Sequence, residues 1–419
     1  MSALQFLLDP LGRDAFFRDH WDRRPLHIPG PPDKFEAIYD VSTWRNFEGV
    51  GDLKAGTMDA QGVQVEIPAL PEQAGTLFLA GFTICAEVTS APRLAPFLQA
   101  FRRELDVPGG PAFAKLYASG DGRGFAVHAD KHHVFVLQVS GKKLWKFSRA
   151  PVVPTPTEGL FIGASGLPYW TGTGTRQSAL RDDGSPVPPP DVSQFDSALL
   201  EPGHLLYLPP GTWHVARAVG HSIAVSISPD RATAMDLFVR AIQDQFAASP
   251  DWRQDILATP GEETPPGGIP ASVAKKLDGM LDELRASLGR MDPRLVHRLW
   301  ARNVAASKMI GLPPPAPPPA AAEGDEGIRR SDVLGRVGDQ PLRFIVAPVK
   351  DGGEERCFFY RGAEWSLPGA ARAFLTELAA HAEFRAEAAL SWDRKLRFDD
   401  VRAFLGVLVA AGVLERRPR

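Results

Sequence analysis

His128, Asp130 and His214 are the side chains whose types and spacing point most directly to chemistry in this chain. In HADKHHVFVLQVSGKKLWKF (128–147), His128 and Asp130 stand at i and i+2, which on a strand puts both on one face. A third ligand must come from elsewhere. LLYLPPGTWHVARAV offers His214, which opens an apolar run just after the tight turn Pro209-Pro210-Gly211. Two imidazoles and one carboxylate on one face of an ion leave positions open for exchangeable ligands, as in non-haem Fe(II) oxygenases. A structural zinc site is normally closed by four protein ligands, and no cysteine lies near this cluster in sequence. An isolated H-x-D pair is common by chance, and His132 and His133 compete for a metal role. The case rests on the combination of H-x-D, GKKLW and LPPGTWH.

Lys143 is the second candidate. Ser140-Gly141 reads as a turn, so a hairpin would carry KKLWKFS back beside His128. Strand alternation turns Lys143 and Trp145 inward and Leu144 outward. An ammonium inside a barrel needs an anionic partner, because an unpaired buried charge is strongly unfavourable. The distal carboxylate of 2-oxoglutarate would supply it.

The elements around these residues suit a barrel. From Ala112 to Ser228 the chain shows short apolar runs bounded by turn residues: AFAKLYA, HVFVLQV, KKLWKFS, HLLYLPP, WHVARAV and SIAVSIS. Such strands without intervening helices predict a barrel or double-sheet jelly roll. The Pro-, Gly-, Thr- and Ser-rich stretch around 150–194 interrupts them and reads as a long insertion loop. TLFLAGFTICAEV followed by RLAPFLQAFRREL predicts a strand leading into an amphipathic helix. After Ser228 the pattern turns helical. Val273, Leu277, Met280, Leu281, Leu284 and Leu288 form a stripe that fits core packing or a second subunit. GLPPPAPPPAAAEGDEG (311–327) is a semi-rigid proline linker. Beyond it, strand-like LRFIVAPV and RCFFYRG precede two helical segments in a small α+β module.

The net charge of -3 gives no global reason to expect nucleic-acid or membrane binding. The C-terminal module lacks a dense basic face, so nucleic acid is not the expected partner. Cys85 and Cys357 sit in apolar surroundings and read as buried free thiols suited to a reducing compartment. The first residues do not form a secretory signal, and no apolar run approaches a membrane span, so the expected location is the cytoplasm.

At FFRDHWDRRPLHI, KLYASGDGRGFAVHADKHHVFVLQVSGKKLW and LEPGHLLYLPPGTWHVARAVGHSIAVSIS the chain resembles the JmjC/cupin-4 oxygenases, and among them the ribosomal oxygenases. The resemblance implies a mainly β double-stranded β-helix catalytic domain, then a helical dimerisation region and a C-terminal winged-helix-like α+β domain. On this reading the catalytic domain covers 1–230 with its insertion at 150–194, the dimerisation region 231–310, the linker 311–327 and the winged-helix-like domain 328–419. It further implies that His128, Asp130 and His214 bind Fe(II) and that Lys143 pairs with the 2-oxoglutarate tail. Ser226 would assist that carboxylate, and Tyr117 would line the substrate pocket. The implied activity is a 2-oxoglutarate- and dioxygen-dependent hydroxylation of a protein or peptide side chain, with a ribosomal protein favoured, by a homodimer. Natural-product peptides, small molecules or an RNA base remain alternative substrates. A non-catalytic cupin scaffold is the reading from a different class.

Overall fold

The computed structural model describes residues 2–42, 50–58, 64–172, 179–266, 268–311, 327–337, 343–348, 354–360, 363–368 and 372–417. The chain divides into two compact units, Met1–Arg231 and Ala232–Arg419.

The first unit is built on twelve strands: β1 (Leu26–Ile28), β2 (Leu53–Met58), β3 (Gln64–Ala69), β4 (Thr83–Glu87), β5 (Ala112–Ser119), β6 (His128–Ala129), β7 (Val134–Phe147), β8 (Leu160–Ile162), β9 (Pro168–Trp170), β10 (Asp196–Leu200), β11 (Leu205–Leu208) and β12 (Trp213–Pro229). They pair antiparallel in the order β1-β11-β7-β12-β5-β4-β2-β3, with β10 on β7 and the β6-β8-β9 ribbon on β12. Two long strands hold this together. The first half of β7 pairs with β11 and its second half with β10. The start of β12 pairs with β6, and its later part with β5. Each long strand therefore serves two sheets, which is how a jelly roll turns its corners.

The corner corrects the expected hairpin at Ser140-Gly141. β7 runs straight through that pair, and WHVARAV and SIAVSIS are likewise one strand. Gly141 has φ +65°, and a Cβ there would lie 1.8 Å from the His221 carbonyl oxygen. The glycine marks a bulge, where the β7–β12 register shifts, and not a chain reversal. The buried Gln138 amide donates to the Ser140, Gly141 and Ile223 carbonyls and to the Ser222 hydroxyl, and so ties both strands at the bend.

Burial along β7 records what covers it. Val134 to Gln138 are all buried, whereas further on Lys143, Trp145 and Phe147 are buried and Lys142, Leu144 and Lys146 are exposed. The first half is covered on both faces because helices Ala3–Leu8, Arg13–Asp19 and Leu94–Glu104 supply a core around Phe16, Phe101, Phe135 and Tyr207. The last of these helices shows Leu94, Leu98 and Phe101 on one face, as the sequence predicts. TLFLAGF, by contrast, belongs largely to a helix, Pro71–Leu79, ahead of β4.

The insertion is also more than a loop. It carries β8 and β9, and β8 pairs with β6 so that Phe161 lies opposite His128.

In the second unit, helices Ala234–Phe246, Ala271–Leu288 and Pro293–Ser307 are followed by two three-stranded antiparallel sheets. One sheet places Val333–Arg336 between Glu383–Arg385 and Leu414–Arg416 and packs helices Arg372–Ala380 and Phe398–Ala410 around Leu334, Leu375 and Leu405. The other is the meander Arg343–Pro348, Glu354–Tyr360, Ala363–Pro368. Residues 312–326 of the expected linker, and the Cys357 side chain, lie outside what is described.

Candidate active site

One cavity in the first unit receives His128, Asp130, His214, Lys143, Tyr117 and Ser226. The triad comes together by register: β6 and β12 pair with His128 directly opposite His214. Asp130 follows β6, with its carboxylate 3.9 Å from His128 Nε2 and 3.6 Å from His214 Nε2. One ligand atom from each residue lies within 4.8 Å of the others.

Both imidazoles are oriented for an ion. His128 Nδ1 donates to the Ala126 carbonyl at 2.8 Å, and His214 Nδ1 donates to the Thr212 carbonyl at 2.9 Å. A ring nitrogen facing a carbonyl carries the proton, so both Nε2 lone pairs are free and face Asp130. Burial, then the neighbouring His128, pushes His214 down to about 4, so it is neutral at pH 7. Burial works against charge on Asp130, but His128 and His214 outweigh it and hold the carboxyl below its ordinary value. Two imidazoles and a carboxylate fit a divalent cation with nitrogen and oxygen preference.

Lys143 lies further along the same face of β7, past Trp145, and is 3% exposed. Its ammonium donates to Ser119 Oγ at 3.2 Å and stands 5.9 Å over the Tyr117 ring. Among the described residues no carboxylate forms an ion pair with it. Burial, then the charge of Arg217, brings it down to about 8. Lys142 faces out and pairs with Glu201.

The hydroxyl that meets Lys143 is Ser119, while Ser226 lines the same cavity from another position. Ser119 lies opposite Ser222 on β12, and Ser226 lies opposite Lys115. Four strand residues separate the two positions by roughly 13 Å. Ser226 is buried in the cavity wall but away from the ammonium. Tyr117 packs edge-on against Phe125 at 5.6 Å. Burial, then Cys85, raises its phenol, which stays neutral. Cys85 is a half-buried free thiol facing the same cavity.

His133 takes no part in the triad. It is fully buried, stacks on Trp21 at 3.7 Å, and its Nδ1 meets the Tyr207 hydroxyl at 2.8 Å. Tyr207 also accepts from the Asp22 N–H, at 3.2 Å. Tyr207→Phe leaves the buried His133 and the part-buried Asp22 N–H without that oxygen and should lower stability by about 1–3 kcal/mol in a denaturant melt. An unchanged midpoint would mean that water or a shifted neighbour replaces it. His132 lines the cavity and packs edge-on against Phe113.

Sequence reasoning missed Ser119, Phe161, Gln64 and Arg217. Phe161 stacks on the His128 ring at 5.2 Å from within the insertion. Gln64 belongs to QVEIPA, whose alternation of polar Gln64 and Glu66 with apolar Val65 and Ile67 is a period-two strand signal.

Residues 106–237, which hold all six cavity residues named at the head of this section, match the family model for the JmjC domain. This segment is a JmjC domain. The chain is 24% identical over 267 residues to the uncharacterized protein YxbC of Bacillus subtilis strain 168, covering 60% of this chain and 78% of that one. It is 27% identical over 254 residues to ribosomal oxygenase 1 of Rattus norvegicus, covering 57% of this chain and 38% of the relative. The chain thus spans well under half of that oxygenase. A solved structure of YcfD, a ribosomal oxygenase from Escherichia coli, in complex with cobalt and 2-oxoglutarate, aligns over 98% of this chain and 99% of YcfD with 18% identity and a TM-score of 0.43. Among the described residues, no helix is long and apolar enough to cross a membrane.

Proposed function

We propose that this JmjC protein is an Fe(II)- and 2-oxoglutarate-dependent dioxygenase that hydroxylates a side chain of a protein or peptide. The observation that carries the reading is Lys143: a nearly fully buried ammonium, with one hydroxyl as its hydrogen-bond partner among the described residues, in the cavity that also holds the triad. A dicarboxylate bound at the triad would find in that ammonium a partner for its second carboxylate.

His128, Asp130 and His214 would hold the iron, which when bound supplies the oxidation of 2-oxoglutarate by dioxygen that drives hydroxylation. The chain's own residues then position and shield. Ser119 and Tyr117 fix the ammonium, Trp145 fills the wall between it and His214, and Phe161 covers His128. These groups exclude water and hold the reacting parts in place. A ribosomal protein is the favoured substrate because the relatives include ribosomal oxygenases. Aerobic conversion of 2-oxoglutarate to succinate, dependent on Fe(II), tests the reading. Its absence in iron-loaded protein would leave a binding scaffold.

The assembly we infer is a homodimer formed by the second unit. Leu277, Leu281 and Leu288 share one face of helix Ala271–Leu288 and are 40%, 43% and 44% exposed. Light scattering should give twice the chain mass, and Leu277→Asp with Leu281→Asp should reduce it to one. A monomeric parent protein would sink the idea. The C-terminal part is read as winged-helix-like and as a docking element rather than a nucleic-acid reader, and the protein as cytoplasmic.

A further inference from the structure

We propose that Gln64 is a positioning residue for the metal site, acting on His128 through the backbone of Ala126. The inference rests on the metal reading of the triad. Gln64 stands on β3, the last strand of the sheet path and four strands beyond β12 in the order β12-β5-β4-β2-β3, yet its side chain lines the same cavity. Its Oε1 accepts the Ala126 N–H at 2.9 Å. The Ala126 carbonyl in turn accepts His128 Nδ1–H at 2.8 Å. The residue before, Phe125, is held from another strand: Arg217 Nη1 donates to its carbonyl at 2.7 Å. The dipeptide leading into the first metal ligand is thus gripped by one side chain from β3 and one from β12.

The orientation of the Gln64 amide is fixed as well. Its Nε2 donates to Glu66 Oε1, which leaves Oε1 as the only amide atom able to take the Ala126 proton. Glu66 is itself held by Lys54 at 3.6 Å. The carbonyl that selects the His128 tautomer therefore belongs to a backbone unit whose opposite end is pinned by Gln64. Groups that orient a ligating imidazole typically change metal affinity ten- to a hundredfold when removed. Without the Gln64 oxygen the Ala126 peptide can tilt, and His128 Nε2 then swings off the ion.

The test uses the full chain and Co(II) alone, titrated anaerobically and followed by its visible absorption. Gln64→Met keeps length and volume but offers no oxygen. It should weaken Co(II) binding by about ten- to a hundredfold, with the metal-free melting temperature near that of the parent. Exchanging the pair, Gln64→Glu with Glu66→Gln, keeps one acceptor towards Ala126 and one amide donor, and should restore affinity to within about threefold. A purely structural role would instead lower the metal-free melting temperature of Gln64→Met. If Gln64→Met fails to fold, Gln64→Asn, which keeps the amide but withdraws it, gives the same comparison. Parental Co(II) affinity in the single variant, or no recovery in the exchanged pair, overturns the proposal. His214→Ala is run alongside. If it too binds Co(II) like the parent, the triad reading fails, and that outcome is distinct from a failure at Gln64 alone.

Discussion

His214→Ala should abolish Fe(II)-dependent turnover of 2-oxoglutarate and leave the fold in place. His214 is 4% exposed, its Nδ1 is committed to the Thr212 carbonyl, and its Nε2 faces Asp130 at 3.6 Å. Nothing else described in the cavity replaces it. His132 is there, but the group able to share an ion consists of His128, Asp130 and His214. Loss of a group that merely orients a ligand weakens metal binding ten- to a hundredfold, so loss of the ligand should exceed about a hundredfold. His128→Ala should behave in the same way. The fold should survive, because β12 is held along its length by β5 and β7 and the imidazole is not part of an apolar cluster. The check is Co(II) titration with succinate formation, and His132→Ala as the control that keeps both within about threefold. Turnover by purified His214→Ala would remove that residue from the triad.

The parts of this site that were legible in the sequence are those fixed by strand periodicity. Lys143 inward and Lys142 outward follow from alternation alone, and the structure places them so. His128 and His214 are legible as residue types at strand starts, but their meeting depends on the β6–β12 register, which no local pattern encodes. Gly141 shows the limit clearly. Ser-Gly between two apolar runs has the same local signature whether the chain reverses or bulges. What decides is the close approach of the His221 carbonyl from a distant strand. The same holds for Ser119: that its hydroxyl meets Lys143 is set by how β5, β12 and β7 align. The insertion misled through composition. Its prolines and glycines look like loop, yet the three residues Leu160–Ile162 suffice to pair with β6 and place Phe161 on His128.

Removing the charge of Lys143 should raise the 2-oxoglutarate requirement far more than it disturbs metal binding. The ammonium is 3% exposed, and a single serine hydroxyl is its hydrogen-bond partner among the described residues. A buried ion pair broken from one side loses about 3–5 kcal/mol, which is on the order of a hundredfold to a few thousandfold in affinity. Lys143→Met keeps most of the volume and should show this loss in a 2-oxoglutarate titration of Co(II)-loaded protein. Lys143→Arg should lose less, because the charge remains although the planar fork fits the Ser119 pocket poorly. Lys142→Ala is the control: that side chain is half exposed and pairs with Glu201 outside the cavity. The parent protein adds a pH signature. Burial and Arg217 bring Lys143 down to about 8, so the free cavity holds the cation below that pH and loses it above. A bound carboxylate favours the protonated form and raises this value. Affinity should therefore be level up to about pH 8 and then fall by about tenfold per unit, and Lys143→Met should lack that fall. If Lys142→Ala is the damaging change, the facing of β7 is misassigned by one residue. If neither the substitution nor the pH alters the titration, the dicarboxylate does not reach Lys143, and the co-substrate assignment loses its main physical support.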